Sequence, residues 1–125
     1  MKFSKLVTLS LIALLTVTGC TSQPPIAEKN SIVVYAGRAE ELVQPLVDLF
    51  EQESGIEVEV RYAGSAELAA QLLEEGTNSP ADVFFAQDAG ALGAISKAGL
   101  FTKLPSSIYD LVPSSYSAAD GMWVG

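Results

Sequence analysis

Ser31-Ile32-Val33-Val34-Tyr35-Ala36-Gly37 is an unbroken apolar, β-prone run closed by a glycine. A strand with one wet face alternates polar and apolar residues. A run without alternation is buried on both faces, as in a parallel sheet covered by helices on both sides.

The residues after it keep to that plan. Glu40 to Ser54 sets Leu42, Val43, Leu46, Val47, Leu49 and Phe50 at helical spacing, with acids in the first turn and Gly55 as the stop. Pro45 is tolerated cheaply only in a first turn, so the regular helix is expected to start near Val43 or Gln44. Glu57-Val58-Glu59-Val60-Arg61-Tyr62 alternates and reads as a strand with one wetter face, near a sheet edge. Ser65 to Glu75 is a second helix with Leu68, Ala69, Leu72 and Leu73 on its apolar face and Gly76 as cap. Thr77-Asn78-Ser79-Pro80 is a loop, Asp82-Val83-Phe84-Phe85 a short third strand, and Ala89 to Ala98 a third helix closed by Gly99. The order β-α-β-α-β-α predicts an α/β domain with mainly parallel strands and right-handed crossovers.

In open sheets of this kind ligands bind outside the carboxyl ends of the strands. Three strand-to-helix loops qualify: Ala36-Gly37-Arg38-Ala39, Ala63-Gly64-Ser65-Ala66 and Ala86-Gln87-Asp88-Ala89. Each can present backbone N–H groups and a positive helix end to an anion. The plainer reading is that Gly37 and Gly64 satisfy turn geometry and that Ser65 caps a helix.

Upstream, Lys2 and Lys5 precede an uncharged apolar stretch from Leu6 to Val17 and the small pair Thr18-Gly19, the three parts of an export signal. The stretch is shorter than the roughly 20 apolar residues that span a bilayer. Val17-Thr18-Gly19-Cys20 resembles the bacterial lipobox, in which the cysteine sulfur receives diacylglycerol and cleavage falls just before it. Residues 1–19 are therefore expected to be a lipoprotein signal peptide, and residues 20–30 the lipidated Cys20 and a flexible tether bearing Pro24-Pro25. With a single cysteine, no disulfide forms within the chain.

Seven Lys+Arg against fifteen Asp+Glu give a net charge of −8, which argues against nucleic acid as a partner. There is no histidine, no glycine-rich phosphate loop with lysine and no Gly-x-Ser-x-Gly elbow, so the residues offer no support for an enzyme. At the other end, Asp120-Gly121 reads as a turn and Met122-Trp123-Val124 as the start of an apolar strand. That ending suggests one piece of a longer protein.

Three stretches together resemble the periplasmic ferric-iron-binding proteins, the extracellular solute-binding receptors of iron ABC importers. They are Val34-Tyr35-Ala36-Gly37-Arg38-Ala39-Glu40-Glu41, Phe50-Glu51-Gln52-Glu53-Ser54-Gly55-Ile56-Glu57-Val58, and Gly76-Thr77-Asn78-Ser79-Pro80-Ala81-Asp82-Val83-Phe84-Phe85. The second occurs broadly among solute-binding proteins. The third, continued by Gln87-Asp88-Ala89-Gly90-Ala91-Leu92, points to the iron-type branch.

The resemblance implies a two-lobed fold that closes on its ligand, with residues 31–125 as the first part of the N-terminal lobe. It also implies ferric iron as cargo, carbonate or phosphate as accompanying anion, and an ABC permease and ATPase as partners at the cell envelope. Ala39 stands where some members have an iron-coordinating histidine, and Gln87 where some have a carboxylate, with Asp88 next to it. The resemblance implies that the main ligands lie beyond Gly125, among paired tyrosines of the second lobe, and ferric ion does favour such charged oxygen donors. The resemblance leaves this segment a cleft wall in which Arg38 pairs with an anion, Gln87 hydrogen-bonds, and Asp88 or Tyr62 approaches the metal. For Tyr35 and Tyr62 core packing is the plainer role.

Overall fold

A computed structural model describes residues 30–125, so the signal, Cys20 and nearly all of the tether lie outside the described residues. The chain runs β1 (Ser31–Ala36), α1 (Glu40–Ser54), β2 (Glu57–Tyr62), α2 (Ser65–Glu75), β3 (Val83–Phe85), α3 (Ala89–Lys97) and a short α4 (Ser106–Tyr109). The sheet order is β2-β1-β3, both pairings parallel. The non-alternating run is thus the central strand and the alternating one is an edge of this sheet, as their patterns require.

Each face of β1 builds its own core. Val33 and Tyr35 pack with Leu68, Ala69 and Leu72 of α2 and Ile95 of α3. Val34 and Ala36 pack with Val43 and Val47 of α1. Tyr35, Leu68 and Ile95 are essentially sealed from water, and burying an aliphatic side chain of this size stabilises by roughly 1.5–3 kcal/mol. The result is a three-layer α/β/α arrangement.

Side chains clamp main-chain groups that the strands cannot pair. Asp82 Oδ2 accepts the Val33 N–H at 2.8 Å while its own N–H donates to the Val33 carbonyl at 2.9 Å, so regular pairing of β3 begins at Val83. Glu51 Oε1 accepts the Val58 N–H at 2.7 Å and ties α1 to β2. The Tyr35 hydroxyl donates to both oxygens of Glu75, at 2.9 and 3.2 Å, and accepts from Arg61 and Gln71, each at 3.1 Å.

Several sequence expectations need correction. α1 begins at Glu40, not near Val43, and holds Pro45 as its sixth residue. The N–H that proline lacks would have served the carbonyl of Glu41, a residue exposed to water at the helix start. Leu42, Leu46, Leu49 and Phe50 do not join the core but stay 42–60% exposed, and Leu73 is likewise exposed. α3 ends at Lys97, with Ala98 as its C-cap. Gly121, at φ 76°, makes the expected turn, but the strand after it reduces to a single antiparallel bridge between Ser117 and Val124.

Candidate functional site at the β1–β3 crevice

With β1 in the centre, the chain goes first to β2 on one side and then to β3 on the other. The two crossovers therefore leave a crevice between the carboxyl ends of β1 and β3, where doubly wound sheets bind ligands. Gly37, Ser65 and Gln87, one from each candidate loop, meet there.

Their contacts form one knot. The Gly37 N–H donates to the Phe85 carbonyl at 2.7 Å. The Gly37 carbonyl accepts the Ser65 hydroxyl at 3.3 Å and also the Gln87 side-chain amide. Ser65 Oγ in turn accepts the Gln87 backbone N–H at 2.9 Å. Apart from Tyr35 with its hydroxyl, Ser65 carries the one buried polar side chain among the described residues. It therefore links loops rather than capping α2, whose N-cap is Gly64. Gly37 is required by this approach, because a Cβ there would lie 2.9 Å from Ser65 Cα.

Around the knot the candidates divide. Ala39 and Gly64 are the N-caps of α1 and α2 and supply no capping side chain, so first-turn N–H groups of both helices face this edge of the sheet. Arg38 is exposed in the first loop and is the only basic residue of the three. Glu40 and Glu41 in the first turn of α1 offset part of its positive end.

Asp88 is committed locally: it is the N-cap of α3, and its Oδ1 accepts the Ala91 N–H at 2.9 Å. Tyr62 is committed as well. Its hydroxyl donates to Gln44 on α1 at 2.9 Å and its ring packs against the α1-side core. Burial, reinforced by the negative charges of Glu40 and Asp48, raises the Tyr62 phenol above its ordinary value. A raised phenol works against forming the phenolate that ferric ion favours. No cluster of three or more His, Cys, Asp or Glu suited to a metal occurs among the described residues.

A groove of about 900 Å³ lies elsewhere, along the open edge of β3, and Phe84, Leu100, Phe101, Leu104 and Trp123 are among its lining residues. It is mostly apolar and meets the crevice only near Phe85 and Ala86. The crevice, with its convergent polar groups, is the better candidate for recognising a small polar solute. The Ser65 bridge was missed by sequence reasoning, and a serine following glycine at a strand end is the only trace of it in the chain.

Residues 32–116 match the family model described as bacterial extracellular solute-binding protein. The Fe(3+)-binding periplasmic protein of Serratia marcescens is 38% identical over 96 residues, covering 77% of this chain and 28% of that protein. Iron-bound HitA from Pseudomonas aeruginosa superposes with a TM-score of 0.74 at 32% identity, over 76% of this chain and 31% of that one. A Trichodesmium protein (IdiA, FutA), solved with iron and citrate ligands, gives a TM-score of 0.70 at 31% identity, over 76% of this chain and 30% of that one. The chain thus spans less than a third of the length of these relatives, and its fold is that of the first part of one lobe of a two-lobed periplasmic binding protein. On the match across residues 32–116 and these likenesses, the chain belongs to the bacterial extracellular solute-binding protein family.

Proposed function

We propose that this segment forms one wall of the ligand cleft in a lipid-anchored, extracytoplasmic receptor that captures ferric iron for an ABC importer. The observation that carries the reading is the convergence of Gly37, Ser65 and Gln87 at the β1–β3 crevice. The iron-binding names of the relatives supply the cargo. The wall is neutral at its centre: Ala39 and Gln87 carry no charge, and Asp88 and Tyr62 have their polar groups engaged. The charged oxygen donors then come from a second lobe, and Arg38 with the first-turn N–H groups of α1 and α2 holds the anion, carbonate or phosphate. The role is binding and delivery to a permease and its ATPase, not catalysis. Residues 1–19 act as the signal, Cys20 carries the lipid, and residues 31–125 are part of the N-terminal lobe.

The test is ferric loading, from ferric citrate, of the polypeptide that includes this segment and its continuation. A visible tyrosinate-to-iron band is expected. No band, together with calorimetric binding of phosphate alone, overturns the iron reading in favour of an anion receptor, which the neutral crevice also suits. Palmitate labelling lost in Cys20→Ser checks the anchor, and labelling that persists refutes it.

A further inference from the structure

The side chains of α1 bond to the edge strand β2 through Gln44 and Glu51. Those of α3 reach the terminal loop, where the Ser96 hydroxyl donates to Asp120 Oδ2 at 3.0 Å. Among the described residues, α2 alone of the three is bonded by its side chains to the central strand, and it is bonded twice. At its start the Ser65 hydroxyl donates to the Gly37 carbonyl, at the end of β1. Further along, the Gln71 amide donates to the Tyr35 hydroxyl, and both oxygens of Glu75 accept from it.

The second attachment exceeds what a core tyrosine requires. Tyr35 is sealed from water, and one partner would satisfy its hydroxyl. Instead it gives its proton to Glu75 and accepts from Gln71 and from Arg61, whose guanidinium also lies 5.4 Å from the ring centroid. Its donor and both lone pairs are then in use. Glu75 also stands against the polarity of its own helix, since a carboxylate in the last turn meets the negative end of the dipole. Hydrogen bonds from Ser79, Gln71 and Tyr35 hold it there.

Apolar packing of Leu68, Ala69 and Leu72 keeps α2 on the sheet but is non-directional, so it resists sliding weakly. Hydrogen bonds weaken steeply off line and fix where along its axis the helix lies. One such bond leaves a pivot. From Ser65 to Gln71 and Glu75 is about 9–15 Å of helix at a rise of 1.5 Å per residue, and bonds that far apart fix both position and tilt.

We propose that Tyr35, acting through Gln71 and Glu75, is a positioning residue for the crevice: it sets the axial position of α2 and so places Ser65 and the first-turn N–H groups of that helix at the carboxyl end of β1. Sealed in the core, Tyr35 meets no solute itself. The Ser65–Gly37 bond, at 3.3 Å, is already long, so a small slide of α2 away from the crevice breaks it first and then loosens the Ser65–Gln87 bond. The effect on solute affinity rests on the crevice being the ligand wall; the placement of α2 does not.

The experiment compares Tyr35→Phe and Gln71→Ala with Ile95→Val, a trim in the same core that leaves the hydroxyl network whole, in the polypeptide comprising this chain and its continuation. Without ligand, hydrogen exchange at the Gln87 amide, whose acceptor is Ser65 Oγ at the opposite end of α2, should accelerate at least about fivefold more than at Val34 in both network variants, the equivalent of one weak hydrogen bond. In Ile95→Val the two amides should change together. With inorganic phosphate, calorimetry should show binding weakened at least about tenfold in the network variants, as displaced binding groups produce, and unchanged in Ile95→Val. Exchange at Gln87 that merely tracks Val34 in the network variants, or phosphate affinity equal to the parent's, would overturn the positioning role. A parent that binds no phosphate overturns the anion reading of the crevice, and exchange at Gln87 then decides the positioning role by itself. Alanine suits a helix at position 71, so Gln71→Ala keeps the test decisive if Tyr35→Phe fails to fold.

Discussion

The carbonyl of Gly37 and the hydroxyl of Ser65, 28 residues apart in the chain, sit 3.3 Å from each other in a bond that joins the first two loops at the crevice. The contact is close enough to exclude any side chain at position 37. Replacing Gly37 by alanine forces the loops apart, and overpacking of this kind costs about 1–3 kcal/mol. Chemical denaturation should show a lower midpoint with an unchanged slope. An unchanged midpoint would mean that the loops part without strain.

Ser65→Ala removes one acceptor and one donor at once, leaving the Gln87 N–H and part of the Gly37 carbonyl unserved. The expected loss is about 1–3 kcal/mol, the usual cost of a stranded buried polar group. Hydrogen exchange at the Gln87 amide should accelerate more than exchange at Val34 in the sheet centre. Uniform acceleration would assign Ser65 a general packing role instead.

If the proposed ferric loading occurs, Tyr62→Phe should leave its spectrum unchanged, because the Tyr62 hydroxyl donates to Gln44 and burial raises its phenol above the ordinary value. A loss or shift of the tyrosinate band in that variant would place Tyr62 on the metal.

Glu75 accepts hydrogen bonds from Ser79, Gln71 and Tyr35 and faces the Arg61 charge, which together lower its carboxyl below the ordinary value of 4.5. A carboxyl depressed on folding adds stability that is fully present above its unfolded value and is lost as pH falls through the folded one. Urea midpoints of the parent should therefore fall more steeply than those of Glu75→Gln between pH 5 and the acid limit of folding, in the order-of-magnitude window set by that shift. Parallel curves would show that the carboxylate contributes nothing specific. At the alkaline end Tyr35 behaves in mirror fashion: burial and the Glu75 carboxylate raise its phenol above 10.0. Its stabilisation is complete below that value and fades as pH climbs through the raised one.

Asp82→Ala strips the Val33 N–H of its acceptor inside the sheet. A destabilisation of about 1–3 kcal/mol is expected, read as a drop in thermal midpoint, and Asp82→Asn should recover much of it through the amide oxygen. No recovery by asparagine would point to charge rather than hydrogen bonding.

Strand and helix identities were legible because each period was clean: the unbroken run became the central strand, the alternating one an edge, and Gly55, Gly76 and Gly99 ended the three main helices. Pro45 misled because proline rules assume a buried helix, whereas here the orphaned carbonyl belongs to an exposed residue. Periodicity also could not tell that Leu42, Leu46, Leu49 and Phe50 stay outside this core, since an apolar arc does not name what it packs against. The three crevice loops could be found by topology alone. The Gly37–Ser65–Gln87 knot could not, because its members lie 22 to 50 residues apart and no local pattern encodes the pairing.

Asn30 precedes the sheet and is fastened to its amino-terminal rim: its side-chain amide donates to the Gly55 carbonyl at 2.6 Å, and its own carbonyl accepts the Glu57 N–H at 3.0 Å. Because every strand is parallel, that rim lies a full strand length, about 20 Å, from Gly37, Ser65 and Gln87. The polypeptide thus enters the described fold at one pole, and the candidate crevice lies at the other. Were the proposed lipid attachment at Cys20 made, the rim at Asn30 would be the side nearer the anchor in sequence and the crevice the side facing away from it.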